Sequence, residues 1–156
     1  MEEFRMARRF TGVSLAAIIA ALGILLVVGT VAANHFGTFS TSLSGAEEAP
    51  SPGDPNGKGF VTLDVYNAGL VCYELKVQAI EPPTAAHIHE APPGMAGGVV
   101  VDLRIDLARH QGNRLTYCAN APESVAADIR ANPSDYYVNV HNATYPGGAI
   151  RGQLGD

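Results

Sequence analysis

The chain has 156 residues and a formal net charge of −5, which leaves room for one domain and little else. From Ala33 onward the sequence holds 13 acidic residues against 7 lysines and arginines, and the basic residues form no cluster. This part of the chain therefore lacks the positive patch that binding to a nucleic acid or to an anionic lipid surface requires.

An uncharged, apolar segment runs from Thr11 to Ala33 and follows three arginines. As a helix it would reach about 35 Å, enough for a hydrocarbon layer roughly 30 Å thick. The arginines predict an N-terminus in the cytoplasm and a C-terminal part that is carried across the membrane. Small residues near Ala32 fit cleavage, whereas the length of the segment fits retention. Residues 1–33 are therefore predicted as a signal peptide or a signal anchor, and the uncleaved form would attach the protein to the membrane.

Short alternating runs separated by Gly, Pro, Asn and Asp predict an all-β domain, a Greek-key β-sandwich or barrel, after this hydrophobic helix. Residues 34–42 are predicted to form a tether and the first strand. Pro122 and Pro133 enclose a segment with one apolar face, which predicts a single short helix. Strands are predicted at Gly37–Leu43, 60–66, 71–79, 84–90, Gly98–Leu103, Leu115–Cys118, Tyr136–His141 and Gly148–Leu154.

Both cysteines of the chain, Cys72 and Cys118, lie in the part predicted to be exported. An even number of cysteines outside the cytoplasm predicts a disulfide, and the alternative is a pair of buried free thiols. Closing a loop of this length would stabilise the domain by roughly 4 kcal/mol.

Three histidines lie on two of the predicted strands. His87 and His89 are two residues apart in the strand 84–90, so that they project from the face opposite the apolar side chains. The same alternation in the strand 136–141 places His141 away from the predicted core. If the two strands are neighbours, three imidazoles converge on the outer surface of the sheet and can bind copper or, as a weaker prediction, zinc. The alternatives are solvated side chains, or imidazoles that hydrogen-bond across the strands without a metal.

Two further residues near the histidine pair are candidates for the same site. Met95 follows the pair after a short loop, and a thioether ligand would favour Cu(I), although methionine also fills gaps in packing. Glu90 can accept a hydrogen bond from a ligating imidazole and so orient it, or it can simply be exposed.

Six motifs follow one another along the predicted domain: Leu43-Ser-Gly-Ala-Glu-Glu48, Cys72-Tyr-Glu-Leu75, Ala86-His-Ile-His-Glu90, Ile129-Arg-Ala-Asn-Pro133, Tyr136-Tyr-Val-Asn-Val-His141 and Tyr145-Pro-Gly-Gly-Ala-Ile-Arg-Gly-Gln-Leu154. In this order they resemble the CHRD domain, a family named after chordin. The resemblance extends over residues 43–154 and implies an extracellular β-sandwich or barrel. The biochemical role of the family is poorly defined, so the resemblance implies location and fold rather than activity.

A more distant similarity is to the copper-zinc superoxide dismutases, whose barrel carries a His-x-His-Glu strand and a third copper-binding histidine on another strand. Carried over to His87, His89 and His141, it implies a copper site on the outer wall of the barrel. The chain shows no histidine-rich zinc loop and no bridging imidazole, so dismutase activity is not implied. Arg151 would attract anions to such a site, or would pair with an acidic residue near the last strand.

Two functions agree with these observations. The first is a copper-binding domain for copper handling or storage outside the cytoplasm, in a secreted protein or on the cell membrane. The second is a metal-free adhesion or protein-interaction module. An enzyme is the third choice, because Ser44 and Ser124 have no nearby histidine and carboxylate in the sequence that would indicate a hydrolase.

Overall fold

The computed structural model describes residues 36–105 and 113–155. The predicted signal peptide or anchor at residues 1–33 lies outside this range, as do residues 34 and 35 of the predicted tether. Within the described ranges, no helix is long and apolar enough to cross a membrane.

Eight antiparallel strands form one barrel-like sheet in the order β5-β4-β7-β8-β1-β2-β3-β6. The strands at the two ends of this order also contact each other. All eight predicted strands are confirmed, with bounds that differ from the predicted ones by two residues or fewer. The strands are β1 (Phe36–Ser44), β2 (Lys58–Tyr66), β3 (Leu70–Gln78), β4 (Ala85–Glu90), β5 (Gly98–Asp102), β6 (Arg114–Asn120), β7 (Tyr136–His141) and β8 (Ile150–Gln153).

The predicted helix is also confirmed, as α1 (Glu123–Ala131). Pro122 precedes its first turn, where a missing backbone N–H costs no hydrogen bond, and Pro133 begins a separate 3-10 turn just after it. Ala126 and Ile129 are buried and join the hydrophobic core. The helix is thus held by its apolar face rather than by side-chain caps, of which it has none.

The hydrophobic core is built from the alternating apolar positions of the strands. In β3 the side chains of Val71, Tyr73, Leu75 and Val77 are buried, as the period-two pattern predicts. The predicted strand 71–79 is wrong at its last residue, Ala79, which the same alternation would place on this buried face. The strand ends at Gln78, and Ala79 is exposed with a φ of 56°, so the chain turns away from the sheet before the pattern is complete.

A disulfide joins Cys72 to Cys118, which confirms the predicted crosslink. The two cysteines are direct partners in the pairing of β3 with β6. Since β6 is hydrogen-bonded to only one neighbouring strand, the crosslink fixes an end of the sheet that the backbone ladder holds on one side alone.

Replacing both cysteines, as Cys72→Ser with Cys118→Ser, is expected to lower the free energy of unfolding by about 4 kcal/mol. The crosslink closes a loop with a sequence separation of 46 residues, and its loss increases the entropy of the unfolded chain. Urea denaturation of the two proteins measures the difference, and thiol reduction of the wild type should reproduce it. Equal midpoints for all three samples would contradict this prediction.

Candidate metal centre

The site is built on the pairing of β4 with β7. In this antiparallel pair, His87 lies opposite Asn139 and Ala85 lies opposite His141, so the two predicted histidine strands are neighbours. Ala86 and Ile88 of β4 are fully buried in the core, and the histidines of the strand project from the other face. The alternation predicted from the sequence therefore brings the imidazoles to one place.

The three imidazoles lie close enough to share an ion. One candidate ligand atom from each of His87, His89 and His141 can be chosen so that all three lie within 4.8 Å of one another. The closest approach is between Nδ1 of His87 and Nε2 of His141, which are 3.0 Å apart. Two donors bound to the same ion at roughly 2.0–2.1 Å are separated by no more than about 4.2 Å, so a separation of 4.8 Å requires one ring to move by at least about 0.6 Å.

The face that carries the histidines is less open than the sequence suggests. His87 and His141 are partly exposed, but His89 is only 7% exposed because the loop after β4 folds back over it. In this loop the carbonyl oxygen of Gly97 lies 3.0 Å from Nδ1 of His89, and the N–H of Gly97 donates to the hydroxyl of Tyr137. The loop after β4 therefore covers part of the site, which is not fully exposed on the outer face of the sheet.

Main-chain carbonyl groups determine which nitrogen of two imidazoles is protonated. Nδ1 of His141 lies 3.0 Å from the carbonyl oxygen of Pro146, and Nδ1 of His89 contacts that of Gly97. A carbonyl oxygen only accepts, so both Nδ1 atoms carry hydrogen and both Nε2 atoms are left as the nitrogens able to bind a metal. Such outer hydrogen bonds orient ligating histidines in metalloproteins.

The 3.0 Å between Nδ1 of His87 and Nε2 of His141 is the length of a hydrogen bond between the two rings. Because Nδ1 of His141 is protonated, its Nε2 accepts this bond and Nδ1 of His87 donates it. For both nitrogens to bind one ion, the hydrogen of His87 must move from Nδ1 to Nε2.

The electrostatic surroundings keep these two imidazoles neutral. Burial lowers the pKa of His87, and the neighbouring rings of His141 and His89 lower it further. Burial also lowers the pKa of His141, an effect that its hydrogen bond to Pro146 partly offsets. Both side chains are thus available at neutral pH as lone-pair donors, the form in which a metal is bound.

The other candidates from the sequence lie at the margin of the site. Glu90 is exposed at the end of β4, and the hydrogen-bond partners of the imidazoles are carbonyl and amide groups rather than its carboxylate. The side chain of Met95 is 59% exposed in the covering loop.

Arg151 is neither at the surface nor beside the imidazoles: it is 1% exposed and donates to the carbonyl oxygens of Met95 and Pro92. It therefore holds the loop in place instead of presenting a charge to solvent.

Sequence reasoning missed the buried polar groups behind His89. The ring of Tyr137 is stacked on that of His89, with centroids 4.8 Å apart and planes 5° from parallel. The guanidinium carbon of Arg151 lies 3.4 Å from the centre of the same Tyr137 ring. Alternation along β7 puts Tyr137 and Asn139 on the same face as His141, so these two could have been identified from the sequence.

Glu48 completes this polar group from a distant part of the sequence. Its carboxylate is packed against Gly148, where any Cβ would approach it to 2.4 Å, and the side chain of Asn139 lies near enough to lower the pKa of this carboxyl group. Burial raises the pKa of Glu48 to about 7, an effect that the positive charge of Arg151 partly offsets. Within the described ranges, the oxygen Oε1 has no hydrogen-bond partner.

A model of the CHRD domain family matches residues 39–154, which is most of the chain and nearly all of the sheet. The chain belongs to the CHRD domain family, and the resemblance seen in the sequence is confirmed. No curated protein and no solved structure matches the chain, so the similarity to the superoxide dismutases stays a prediction.

Glu48→Gln should remove a pH dependence of stability. The carboxyl group has a pKa of about 7 in the fold against 4.5 when unperturbed, so its contribution is fully present below pH 4.5 and is lost as the pH rises through 7. Relative to the variant, the wild type should therefore lose about 2 kcal/mol over this interval. Urea denaturation at several pH values measures this, with Glu90→Gln as the exposed control. Parallel stability curves for wild type and Glu48→Gln would contradict the assignment.

Proposed function

We propose that this member of the CHRD domain family binds one copper ion outside the cytoplasm, with His87, His89 and His141 as ligands. The observation that supports this most is the convergence of three ligand atoms, one from each imidazole, within 4.8 Å. Neutral imidazole nitrogens suit copper and zinc, and at a site of given donors copper binds more tightly.

The surroundings fit the handling or storage of an ion better than its use in catalysis. The loop after β4 covers His89, while His87 and His141 are partly exposed and leave a side from which an ion can enter. We propose Met95, exposed in that loop, as a fourth ligand, whose thioether would favour Cu(I). When bound, copper would supply its one-electron redox chemistry, and the chain's own residues would hold and shield it.

A metal-free role has one specific observation in its favour. In the described structure the imidazoles already bond within the protein: Nδ1 of His87 donates to Nε2 of His141, and both nitrogens of His89 have polar partners. In this second candidate the histidines only join β4 to β7, and the domain acts as a metal-free adhesion or interaction module.

Copper titration of wild type, His87→Ala and His141→Ala distinguishes the two candidates. Each substitution removes one of three ligands and should weaken binding by roughly a hundredfold or more, beyond the effect of losing an outer hydrogen-bond partner. The variant Glu90→Gln changes an exposed side chain on the same strand and should bind copper with the affinity of the wild type. The same stoichiometry and affinity in all four proteins would favour the metal-free module.

We also infer that residues 1–33 carry the domain out of the cytoplasm, as a signal peptide or as an anchor. The disulfide agrees with an oxidising compartment, and the arginines before Thr11 agree with a cytoplasmic N-terminus. The domain boundaries that go with this are a tether and first strand at residues 34–42 and the folded domain at residues 43–154.

A reporter fused after Asp156 should be found outside the cytoplasm, because the apolar segment would direct export of everything that follows it. The same fusion without residues 1–33 is the control and should stay inside. A cytoplasmic reporter in the full-length fusion would contradict both interpretations of residues 1–33, as a signal peptide and as an anchor.

A further inference from the structure

His89 differs from the other two histidines because both of its nitrogens are occupied by fixed protein groups. Nδ1 lies 3.0 Å from the carbonyl oxygen of Gly97, and Nε2 lies 3.0 Å from the side-chain Oδ1 of Asn139. The carbonyl group keeps the hydrogen on Nδ1, so Nε2 is the nitrogen that a metal needs. If the imidazole carries hydrogen on both nitrogens, or if the amide is rotated so that its NH2 group faces the ring, Nε2 is hydrogen-bonded to Asn139. In either case this nitrogen is not free to bind a metal.

The imidazole cannot easily turn away from Asn139. The ring of Tyr137 stacks parallel to the imidazole and restricts its rotation. The buried guanidinium of Arg151 lies over the same Tyr137 ring. Arg151 is itself tied to the loop that covers the site, through its bonds to the carbonyl groups of Met95 and Pro92. A metal that reaches His89 must therefore displace the amide rather than rotate the ring.

A displaced side chain of Asn139 would find another hydrogen-bond partner in Glu48. Asn139 is 3% exposed, and it lies near enough to Glu48 to lower the pKa of that carboxyl group. One carboxylate oxygen of Glu48, Oε1, is buried without a hydrogen-bond partner within the described ranges. A buried acceptor of this kind is costly when it is left unpaired, and it would gain a donor if the amide moved towards it.

We propose that Asn139 competes with the metal for Nε2 of His89, and that Glu48 receives the displaced amide. This proposal rests on the proposed copper site and adds the order in which the three imidazoles bind the ion. The His87 and His141 pair binds first, and His89 joins when Asn139 releases it. Asn139 is thus a positioning residue that sets how many nitrogens the ion receives.

Asn139→Ala tests this role, because alanine can neither hydrogen-bond to the ring nor occupy the space in front of Nε2. Copper affinity, measured by competition with a chelator of known affinity, should increase roughly tenfold, since binding no longer breaks a hydrogen bond. In electron paramagnetic resonance spectra, the wild type should show a fraction of sites with two coupled nitrogens, and Asn139→Ala should show three-nitrogen sites throughout.

The matched control is the same substitution in a His89→Ala background, where it should change the affinity by less than twofold, because the nitrogen in competition is gone. Urea denaturation verifies that each variant is folded, and Asn139→Ser, whose hydroxyl is too short to reach the ring, replaces the alanine variant if it is not. Unchanged or weaker copper binding by the folded variant, or an equal gain without His89, would overturn the role of Asn139. A wild type that binds no copper would overturn the proposed function as well.

Discussion

The antiparallel pairing of β4 with β7 is the constraint on which the rest of the site depends. Because side chains alternate across a strand, one register puts Ile88 and Val138 into the core and puts the histidines together on the other face. A shift by one residue would exchange the two faces and would place imidazoles in the hydrophobic interior. The burial of the apolar side chains, worth roughly 1.5–3 kcal/mol each, therefore also fixes the geometry of the imidazoles.

A second layer of buried polar groups lies on the histidine face and connects it to the loops. Arg151 and Glu48 are both nearly inaccessible to solvent, and burying such groups is unfavourable unless they are paired or hydrogen-bonded. Arg151 meets this condition with two carbonyl groups and with Gln153, whereas Glu48 meets it only in part. The incomplete bonding of Glu48 makes this layer more responsive to a change at Asn139 than a fully paired layer would be.

The strand positions and the direction of the histidine side chains were predictable from the sequence, whereas the loop contacts around the site were not. Strand positions and the direction of His87, His89 and His141 follow from a period of two, which is a local property of the chain. His89 is covered by the loop that follows β4, and Glu48 approaches Asn139 from a part of the chain that is distant in sequence. The period-two pattern of the strands encodes neither contact, so the predicted open surface is partly covered in the structure. Arg151 shows the same limit, since alternation gives its strand but not the loop carbonyl groups that it binds.

The central claim is that the histidine cluster is a copper site, and a crystal of the protein soaked with copper tests it most directly. An anomalous difference map at the copper absorption edge should show one strong peak about 2.0–2.1 Å from Nδ1 of His87 and Nε2 of His141. At full occupancy the peak should also be bonded to Nε2 of His89, with Asn139 moved away. A fully soaked crystal with no peak between β4 and β7, in which His87 and His141 keep their direct hydrogen bond, would contradict the account.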